Sequence, residues 1–124
     1  SLNKIALLGV AYGPGIGDTR FSPVQKFYKK IKKLCTNITC FDPYVNFWEE
    51  VSIEVESDLK NLRNNQYDCI IITTKHVEFE DNEIIIELIK KGVIVFDTIG
   101  VFAEIKDLHK FKNYFLLGSG INEK

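Results

Sequence analysis

The chain has 124 residues, of which 45% are hydrophobic and 27% charged, a composition that excludes disordered, collagen-like and disulfide-knotted proteins. Because single hydrophobic cores commonly span about 100 to 200 residues, we expect one soluble domain over residues 1–124. Sixteen Lys and Arg residues against seventeen Asp and Glu residues leave a net charge of -1. No global field therefore attracts nucleic acid or an anionic membrane, and neither is an expected partner.

The longest apolar runs, such as 70–72 and 84–86, fall far short of the roughly 18 residues that span a bilayer, and no signal-peptide pattern is present. The three cysteines, Cys35, Cys40 and Cys69, form no C-x-x-C pair. This usage favours a reducing, cytoplasmic compartment, with all three thiols packed as ordinary side chains. Since the sequence also lacks methionine, we interpret it as a piece of a longer chain.

The first predicted element is a strand over residues 4–10, a nearly continuous apolar run. A helix follows it, because Ser22 suits an N-cap, Pro23 suits a first turn, and apolar residues then recur at helical spacing. These apolar residues are Val24, Phe27, Tyr28, Ile31 and Leu34. Five lysines on the opposite face lack interleaved aromatic residues, so they indicate a solvated surface and not a nucleic-acid stripe. They are Lys26, Lys29, Lys30, Lys32 and Lys33.

The middle of the chain predicts a weak strand over 38–41 and an edge strand over 51–55, where apolar and polar residues alternate. A short helix is predicted over 57–64, and a strong, continuously apolar strand over 68–74.

The last third of the chain begins with a predicted helix over 81–91, which has acidic residues in its first turn and lysines in its last, and Gly92 ends it. Strands are predicted over 92–97 and 114–117, with a further short helix over 103–110 between them. The continuously apolar strands are typical of a parallel sheet whose two faces are both covered. The alternation of strands and helices predicts a Rossmann-like, doubly wound α/β fold with five to six mainly parallel strands in the order 3-2-1-4-5-6.

Polar residues and glycines follow the predicted strands, in segments 11–20, 42–44, 73–76, 97–100 and 118–120. Because the carboxyl ends of parallel strands meet at one edge of a sheet, these segments predict a ligand site at that edge, beside the first strand. Four glycines crowd the first of these exits: Gly9, Gly13, Gly15 and Gly17. They are equally compatible with a phosphate site, where bare backbone amides and the next helix attract an anion, and with a simple turn of the chain.

The glycine spacing does not match the dinucleotide fingerprint G-x-G-x-x-G, since Ala11 and Pro14 occupy its second and third glycine positions counted from Gly9. A free-standing NAD-binding module is therefore the least favoured interpretation. Asp42 resembles the acid that holds an adenosine ribose, but Pro43 behind it favours a turn-forming role.

Residues 4–23, KIALLGVAYGPGIGDTRFSP, closely resemble the C-terminal domain of the UDP-glucose/GDP-mannose dehydrogenase family. Segments 41–45, 73–79, 95–98 and 118–120 look like the later motifs of that family in the same order, so the resemblance covers essentially the whole chain.

The resemblance implies a UDP-sugar-binding domain of an enzyme that oxidises a sugar C6 alcohol to a carboxylate, in two NAD-dependent hydride transfers, for polysaccharide precursor synthesis. In that family NAD binds an N-terminal Rossmann domain, and the nucleophilic cysteine lies in a Gly-Gly-x-Cys-type motif that this sequence lacks. We therefore expect UDP or a UDP-sugar as ligand, the N-terminal NAD-binding domain as partner and a homo-oligomer of the full-length protein. We expect neither a catalytic residue nor NAD binding in this chain, which would be inactive alone.

The expected substrate-binding residues are Tyr12, Gly13, Asp18, Arg20, Lys75 and Asp97, and the resemblance itself assigns roles to Tyr12, Asp18 and Arg20. By this resemblance Tyr12 would contact the nucleotide. Asp18 and Arg20 would either face the ligand or, if they pair with each other, brace the loop. The family usually has lysine where this chain has Gly13, and arginine where it has Ile99.

These two departures leave alternatives open. Lys75 could replace a missing phosphate-side cation, or the domain has lost ligand binding and serves in assembly or interaction. His76 could act as a general base, although packing or a local hydrogen bond is favoured. Trp48, with the aromatic residues near it, could stack on a uracil or cover the sheet edge, and cover is favoured. No Cys/His spacing predicts a metal site.

Overall fold

A computed structural model describes residues 4–102 and 106–117 of the chain. The described strands, in chain order, are β1 (Ile5–Leu8), β2 (Ile38–Phe41), β3 (Phe47–Trp48), β4 (Ile53–Glu54), β5 (Cys69–Ile72), β6 (Ile94–Asp97) and β7 (Tyr114–Leu116). The α-helices are α1 (Val24–Leu34) and α2 (Glu83–Lys90). Short 3-10 helices span Glu49–Val51, Leu59–Arg63, Val77–Phe79 and Lys106–Lys110.

Five strands form one parallel sheet in the order β2-β1-β5-β6-β7. Their ends are aligned, because Leu8 of β1 pairs with Phe41 of β2 on one side and with Ile72 of β5 on the other. The predicted Rossmann-like α/β fold, with parallel strands and crossover connections, is confirmed. The chain reverses its direction of winding between β1 and β5, which is the switch point at which sheets of this kind bind ligands.

The strand predicted over 51–55 is present only at Ile53–Glu54, and its expected place as an edge strand of the main sheet is wrong. Ser52 adopts a left-handed backbone with φ of +55°, which turns the chain back so that β4 pairs antiparallel with β3 in a separate two-stranded sheet. The chain then reaches the main sheet at Glu56, which forms a single parallel bridge with Phe41. The predicted order 3-2-1-4-5-6 therefore lacks its first strand, and one bridge occupies that place.

The short helices predicted over 57–64 and 103–110 are present as 3-10 helices. The first is a 3-10 helix over Leu59–Arg63, started by the Asp58 side chain, which accepts a hydrogen bond from the Lys60 amide. The second is a 3-10 helix over Lys106–Lys110, and the beginning of the predicted segment lies outside the described residues. Runs of this length favour the tighter helix, since the costly first turn of an α-helix gains few hydrogen bonds.

The two faces of the sheet are both covered, which explains why its central strands are apolar throughout. Ala6 and Leu8 point into a core that α2 covers through Ile85 and Ile89. The alternate residues of β1 point into a second core on the other face, which α1 and the β3–β4 hairpin cover. That second core contains Ile5, Leu7, Val24, Tyr28 and Trp48.

The surface of α1 follows its predicted pattern in part. All five lysines of the predicted solvated face are exposed, and Val24 and Tyr28 are buried. Leu34, which ends the helix, is 88% exposed, so the apolar stripe stops before it. Among the described residues, no helix has the length and apolar character needed to cross a bilayer.

Gly9 occupies a position where both backbone conformation and space exclude a side chain. Its φ is +104°, and a Cβ there would lie 2.5 Å from the Thr74 Cβ. Gly92 has the same φ of +104° but open space around the Cβ position. Gly92→Ala is expected to lower the free energy of unfolding by about 1 to 2 kcal/mol, and Gly9→Ala by roughly 1 to 3 kcal/mol more.

Urea unfolding of the two variants measures this difference. Because Gly92→Ala carries the same backbone penalty, the difference isolates the contact between the β1 exit and Thr74. Equal destabilisation of the two variants would contradict the close approach.

Candidate functional site

The carboxyl edge of the sheet brings together the exits of β1, β2 and β5. The Thr73 hydroxyl, after β5, donates to the Gly9 carbonyl at 2.6 Å, and the Thr74 hydroxyl donates to the Ala11 carbonyl at 3.3 Å. These bonds hold residues 9–11, which leave β1, against residues 73–74. The predicted segments 11–20, 42–44 and 73–76 therefore meet at one edge.

Asp42 is the centre of this edge and is fully buried. Its Oδ2 accepts hydrogen bonds from the amides of Val10 at 2.9 Å and Ala11 at 3.1 Å. Its Oδ1 accepts from the Tyr44 amide at 2.9 Å, and His76 Nε2 lies 3.0 Å from Oδ2. The turn-forming interpretation of Asp42 is confirmed, and its oxygens are already used by the protein. The residues present therefore do not fit an NAD adenosine, whose ribose would need that carboxylate.

The glycine-rich loop, residues 12–17, projects from this edge into solvent. Its ends are joined by the Tyr12 amide, which donates to the Asp18 carbonyl at 2.6 Å. Gly17 lies against the Tyr44 carbonyl so closely that a Cβ would collide with it. Among the residues that the structure describes, the amides of Gly13 and Gly17 donate to no protein acceptor, whereas the turn at Pro14 and Gly15 directs the Ile16 amide to the Gly13 carbonyl. The loop therefore combines exposed backbone donors with an anchored base.

Two exposed aromatic side chains lie in and beside the glycine-rich loop. Tyr12 is 60% and Phe21 is 90% exposed, and Phe21 also has a left-handed backbone with φ of +59°. A strained, exposed aromatic residue next to a loop is typical of a binding surface and not of a core.

Asp18 and Arg20 pair with each other across the base of the loop. Arg20 Nε lies 3.0 Å from Asp18 Oδ1, and Nη2 lies 2.9 Å from Oδ2. The side-chain hydrogen bonds from Arg20, followed by the bond from its amide, lower the pKa of Asp18 from 3.8 to about 2. The Arg20 side chain is 74% exposed, so the pair braces the loop while part of the guanidinium still faces solvent.

Asp97 lies two strands away from β1, at the end of β6, and is fully buried. Its Oδ1 accepts from the amides of Gly100 and Val101, and its Oδ2 from the Phe102 amide and the Tyr114 hydroxyl. Burial and then this hydrogen bond raise the pKa of Tyr114. The carboxylate is thus occupied in holding the loop after β6.

The two positions that depart from the family pattern lie in different surroundings. Ile99 is half-buried and packs against the core on the α2 side of the sheet. Gly13 lies on the exposed loop, where the atom nearest to a Cβ would be the Ile16 side-chain end at 3.8 Å. Lys75 is exposed after β5 and forms no ion pair within the described part of the chain.

The aromatic residues after β2 differ in burial: one covers the face of the sheet, and another lies at the protein surface. Trp48 is fully buried and packs on Tyr28 with ring centroids 5.3 Å apart, so the prediction that it covers the sheet is confirmed. Tyr44 is 39% exposed, and its hydroxyl donates to Glu78 at 2.7 Å. The predicted exit 118–120 lies outside the described residues.

The predicted packing role of the three cysteines is confirmed, since all three are buried. Burial raises the pKa of both Cys40 and Cys69 to about 12, so neither thiol is a nucleophile near neutral pH. Within residues 4–102 and 106–117, no group of three His, Cys, Asp or Glu side chains could hold a metal ion.

Sequence reasoning missed the network that joins Asp42, His76 and the loop. His76 Nδ1 accepts a hydrogen bond from the Gly15 amide at 2.9 Å, while Nε2 meets Asp42. The sequence did show that an acidic residue follows β2 and that a histidine follows β5. Both strands flank β1 in the observed sheet. Only the strand order brings these two exits to the same side of the glycine-rich loop.

Comparisons with known proteins agree with this geometry. The model of the UDP-glucose/GDP-mannose dehydrogenase family, UDP binding domain, matches residues 6–104. The UDP-N-acetyl-D-mannosamine dehydrogenase of Pyrococcus horikoshii is 36% identical over 76 residues, 61% of this chain and 16% of that protein. The UDP-glucose 6-dehydrogenase of Rickettsia bellii is 32% identical over 100 residues, 74% of this chain and 23% of that protein.

Two solved structures share the fold. The UDP-D-ManNAc dehydrogenase of P. horikoshii superposes with a TM-score of 0.71 at 29% identity, over 95% of this chain and 26% of that one. The UDP-N-acetyl-mannosamine dehydrogenase Cap5O of Staphylococcus aureus superposes with a TM-score of 0.67 at 24% identity, over 98% of this chain and 28% of that one. The chain thus spans roughly a sixth to a quarter of the two sequence relatives described above.

The ion pair between Asp18 and Arg20 is expected to stabilise the native loop above pH 3.8 and to lose this contribution as the pH falls through about 2. In Arg20→Gln the titration midpoint of the Asp18 carboxyl, followed by carbon NMR, should rise toward 3.8. Arg63→Gln, which removes the partner of Glu87 instead, is the matched control and should leave the Asp18 midpoint in place. An unchanged midpoint in Arg20→Gln would contradict the pairing.

Truncation of Asp97 is expected to lower the free energy of unfolding strongly, because it leaves several buried donors without an acceptor. Asp97→Ala should cost about 3 to 5 kcal/mol in chemical denaturation. Asp107→Ala is the control, since that side chain is 85% exposed and pairs with Lys110 at the surface, and it should change stability by less than about 0.5 kcal/mol. Similar values for both variants would show that Asp97 does not hold the β6 exit.

Proposed function

The chain belongs to the UDP-glucose/GDP-mannose dehydrogenase family, and from this premise we propose that it binds the nucleotide part of a UDP-sugar at the glycine-rich loop. In the full-length protein, the bound sugar would be oxidised from its C6 alcohol to a carboxylate with NAD as hydride acceptor. The product would serve polysaccharide synthesis in the cytoplasm, and the full-length protein would be a homo-oligomer.

One observation supports this proposal above the others: residues 12–17 present backbone amides at the switch point of the sheet, in the segment that leads from β1 to α1. Anions bind such positions because unpaired N–H groups and the positive end of a helix both favour negative charge. The diphosphate of a UDP-sugar supplies that charge. Arg20 adds a cation beside the loop, with its position fixed by Asp18.

Tyr12 supports recognition of the nucleoside. Its ring is largely exposed at the start of the loop, where an aromatic face can stack on a base or a ribose. The family resemblance assigns a nucleotide contact to the same position. Lys75 on the neighbouring β5 exit is the remaining cation for the phosphate side, in place of the lysine that relatives carry where this chain has Gly13.

The redox chemistry belongs to the rest of the parent protein in this proposal. Asp42 has no free oxygen for a ribose, and the buried Cys40 and Cys69 have raised pKa values. These facts support a division of labour in which an N-terminal domain supplies NAD binding and the nucleophile. This chain would bind the UDP moiety of the substrate.

A second candidate function is an assembly domain that has lost nucleotide binding. The packing of Ile99 into the core favours it, because the cation that the family usually has at this position is then missing from the site.

Calorimetric titration and thermal unfolding with UDP, UDP-glucose, GDP and NAD separate these functions. UDP and UDP-glucose are expected to bind, and ligand at a hundred times its dissociation constant stabilises a fold by about 2.7 kcal/mol. Stabilisation by NAD alone would overturn the proposal, and no response to any nucleotide would favour the assembly domain.

Gly13→Lys provides a gain-of-function test at the open end of the loop. A hydrogen bond from a cation to a phosphate contributes about 1.5 to 3 kcal/mol, so the affinity for UDP should rise by roughly tenfold to a hundredfold. Gly92→Lys adds the same charge away from the site and should leave the affinity unchanged. An equal gain in both variants would indicate attraction by net charge and not by a phosphate contact.

A further inference from the structure

His76 lies in the protein interior with both ring nitrogens in hydrogen bonds. The side chain is fully buried, although Lys75 and Val77 on either side of it are exposed. Nδ1 accepts from the Gly15 amide at 2.9 Å, and Nε2 meets Asp42 Oδ2 at 3.0 Å. The ring thus connects the β2 exit to the glycine-rich loop.

These two bonds fix the hydrogen on one ring nitrogen. The Gly15 N–H can only donate, so Nδ1 has to present its lone pair. A neutral imidazole then carries its hydrogen on Nε2, which donates it to Asp42. With both bonds in place, His76 is therefore the neutral Nε2–H tautomer.

The imidazole has little freedom to move. Its ring lies between Tyr44, with centroids 4.8 Å apart, and Phe79, with centroids 5.5 Å apart. Asp42 is itself held by amides of the β1 exit. The histidine is thus fixed on the sheet side, and the loop is the part that can give way.

Gly15 is the point at which the loop meets this rigid network. It has a left-handed φ of +73° and open space around its Cβ position. Among the described residues, its bond to His76 is the one hydrogen bond that joins residues 13–17 to the rest of the chain. Loss of this bond would leave the middle of the loop held only at its two ends.

We propose that His76 is a positioning residue for the glycine-rich loop, whose neutral form holds the Gly15 amide and whose protonated form releases it. This rests on the proposed function, since the loop is where the UDP diphosphate would bind. Protonation puts a hydrogen on Nδ1, which then faces the Gly15 N–H, donor against donor. The Asp42 carboxylate attracts the resulting imidazolium, so the ring stays in place and the loop moves away.

The groups around the ring support this direction of movement. Asp42 is the charged group in contact with His76 from the β2 side, and Tyr44 directs its hydroxyl toward Glu78. Lys75, on the same segment, is exposed. Protonation of His76 is therefore expected to lower the affinity for a UDP-sugar.

Nitrogen NMR of the wild-type chain tests the hydrogen-bond arrangement without a ligand. His76 should show the Nε2–H tautomer at about pH 7.5, and the Gly15 amide shift should follow the protonation of His76 as the pH is lowered. The amide shift of Gly15 should not follow the protonation of the exposed His109. An Nδ1–H tautomer, a Gly15 amide that stays in place, or a ring that never titrates before unfolding would each overturn the proposal.

Two variants of His76 test the effect on ligand binding. UDP-glucose is the probe because its diphosphate keeps its charge as the pH is lowered from neutrality. In His76→Asn the amide oxygen can replace Nδ1 as acceptor for Gly15, whereas in His76→Gln the amide nitrogen can replace Nε2 as donor to Asp42. His76→Gln should bind about two- to tenfold more weakly than His76→Asn at about pH 7.5. Wild type should lose affinity by a similar factor when His76 becomes protonated as the pH is lowered, and His76→Asn should not.

His109→Asn is the matched control and should keep the wild-type pH profile. Equal affinity of the two His76 variants, or a pH dependence that persists in His76→Asn, would overturn the positioning role. If the wild-type chain binds no UDP-glucose at all, the proposed function fails, while the tautomer and the Gly15 titration still decide the hydrogen-bond arrangement.

Discussion

The buried carboxylate of Asp42 is the constraint on which the candidate site depends. A charge removed from water is costly unless donors surround it, and Asp42 meets three backbone amides and one imidazole N–H. Two of the amides belong to the β1 exit, the third to the turn after β2, and the imidazole to the β5 exit. The same group that makes the interior electrostatically acceptable therefore fixes the three strand exits relative to one another.

The glycine-rich loop can be exposed because this network lies beneath it. A hydrogen bond between Tyr12 and Asp18 joins the two ends of the loop, and Gly17 lies against the Tyr44 carbonyl. The middle of the loop is held by the hydrogen bond to His76. What remains directed to solvent is backbone amide, one aromatic face and a guanidinium. In the proposed function these groups bind a nucleotide diphosphate. The hydride transfer proposed for the full-length protein would then be carried out by other residues.

The sheet could be predicted from the sequence because its signals are local. Residues 68–74 are apolar throughout, as a strand covered on both faces requires, and the helix that ends at Gly92 carries its charges in the expected turns. The error at 51–55 has a local cause as well, because alternation predicts a half-buried strand without naming its partner. The left-handed Ser52 turned that strand back onto Trp48 and away from the sheet.

The sequence could predict where the candidate site lies in the fold but not which role each of its residues has. The glycines and the strand exits identified the edge beside β1, but the network around Asp42 and His76 depends on contacts between residues more than 30 positions apart. Asp18 and Arg20 pair with each other, Asp97 holds its own strand exit, and Ile99 joins the core. The bond between His76 and Gly15 has no local signal, because it exists only once β1, β2 and β5 lie side by side.

An amide NMR titration of the chain with UDP shows directly whether the glycine-rich loop binds the nucleotide. Saturable shifts should then be concentrated in residues 12–20, with smaller shifts at the β5 exit around Lys75. Amide shifts confined to a different surface, with the glycine-rich loop unchanged at saturation, would contradict this binding.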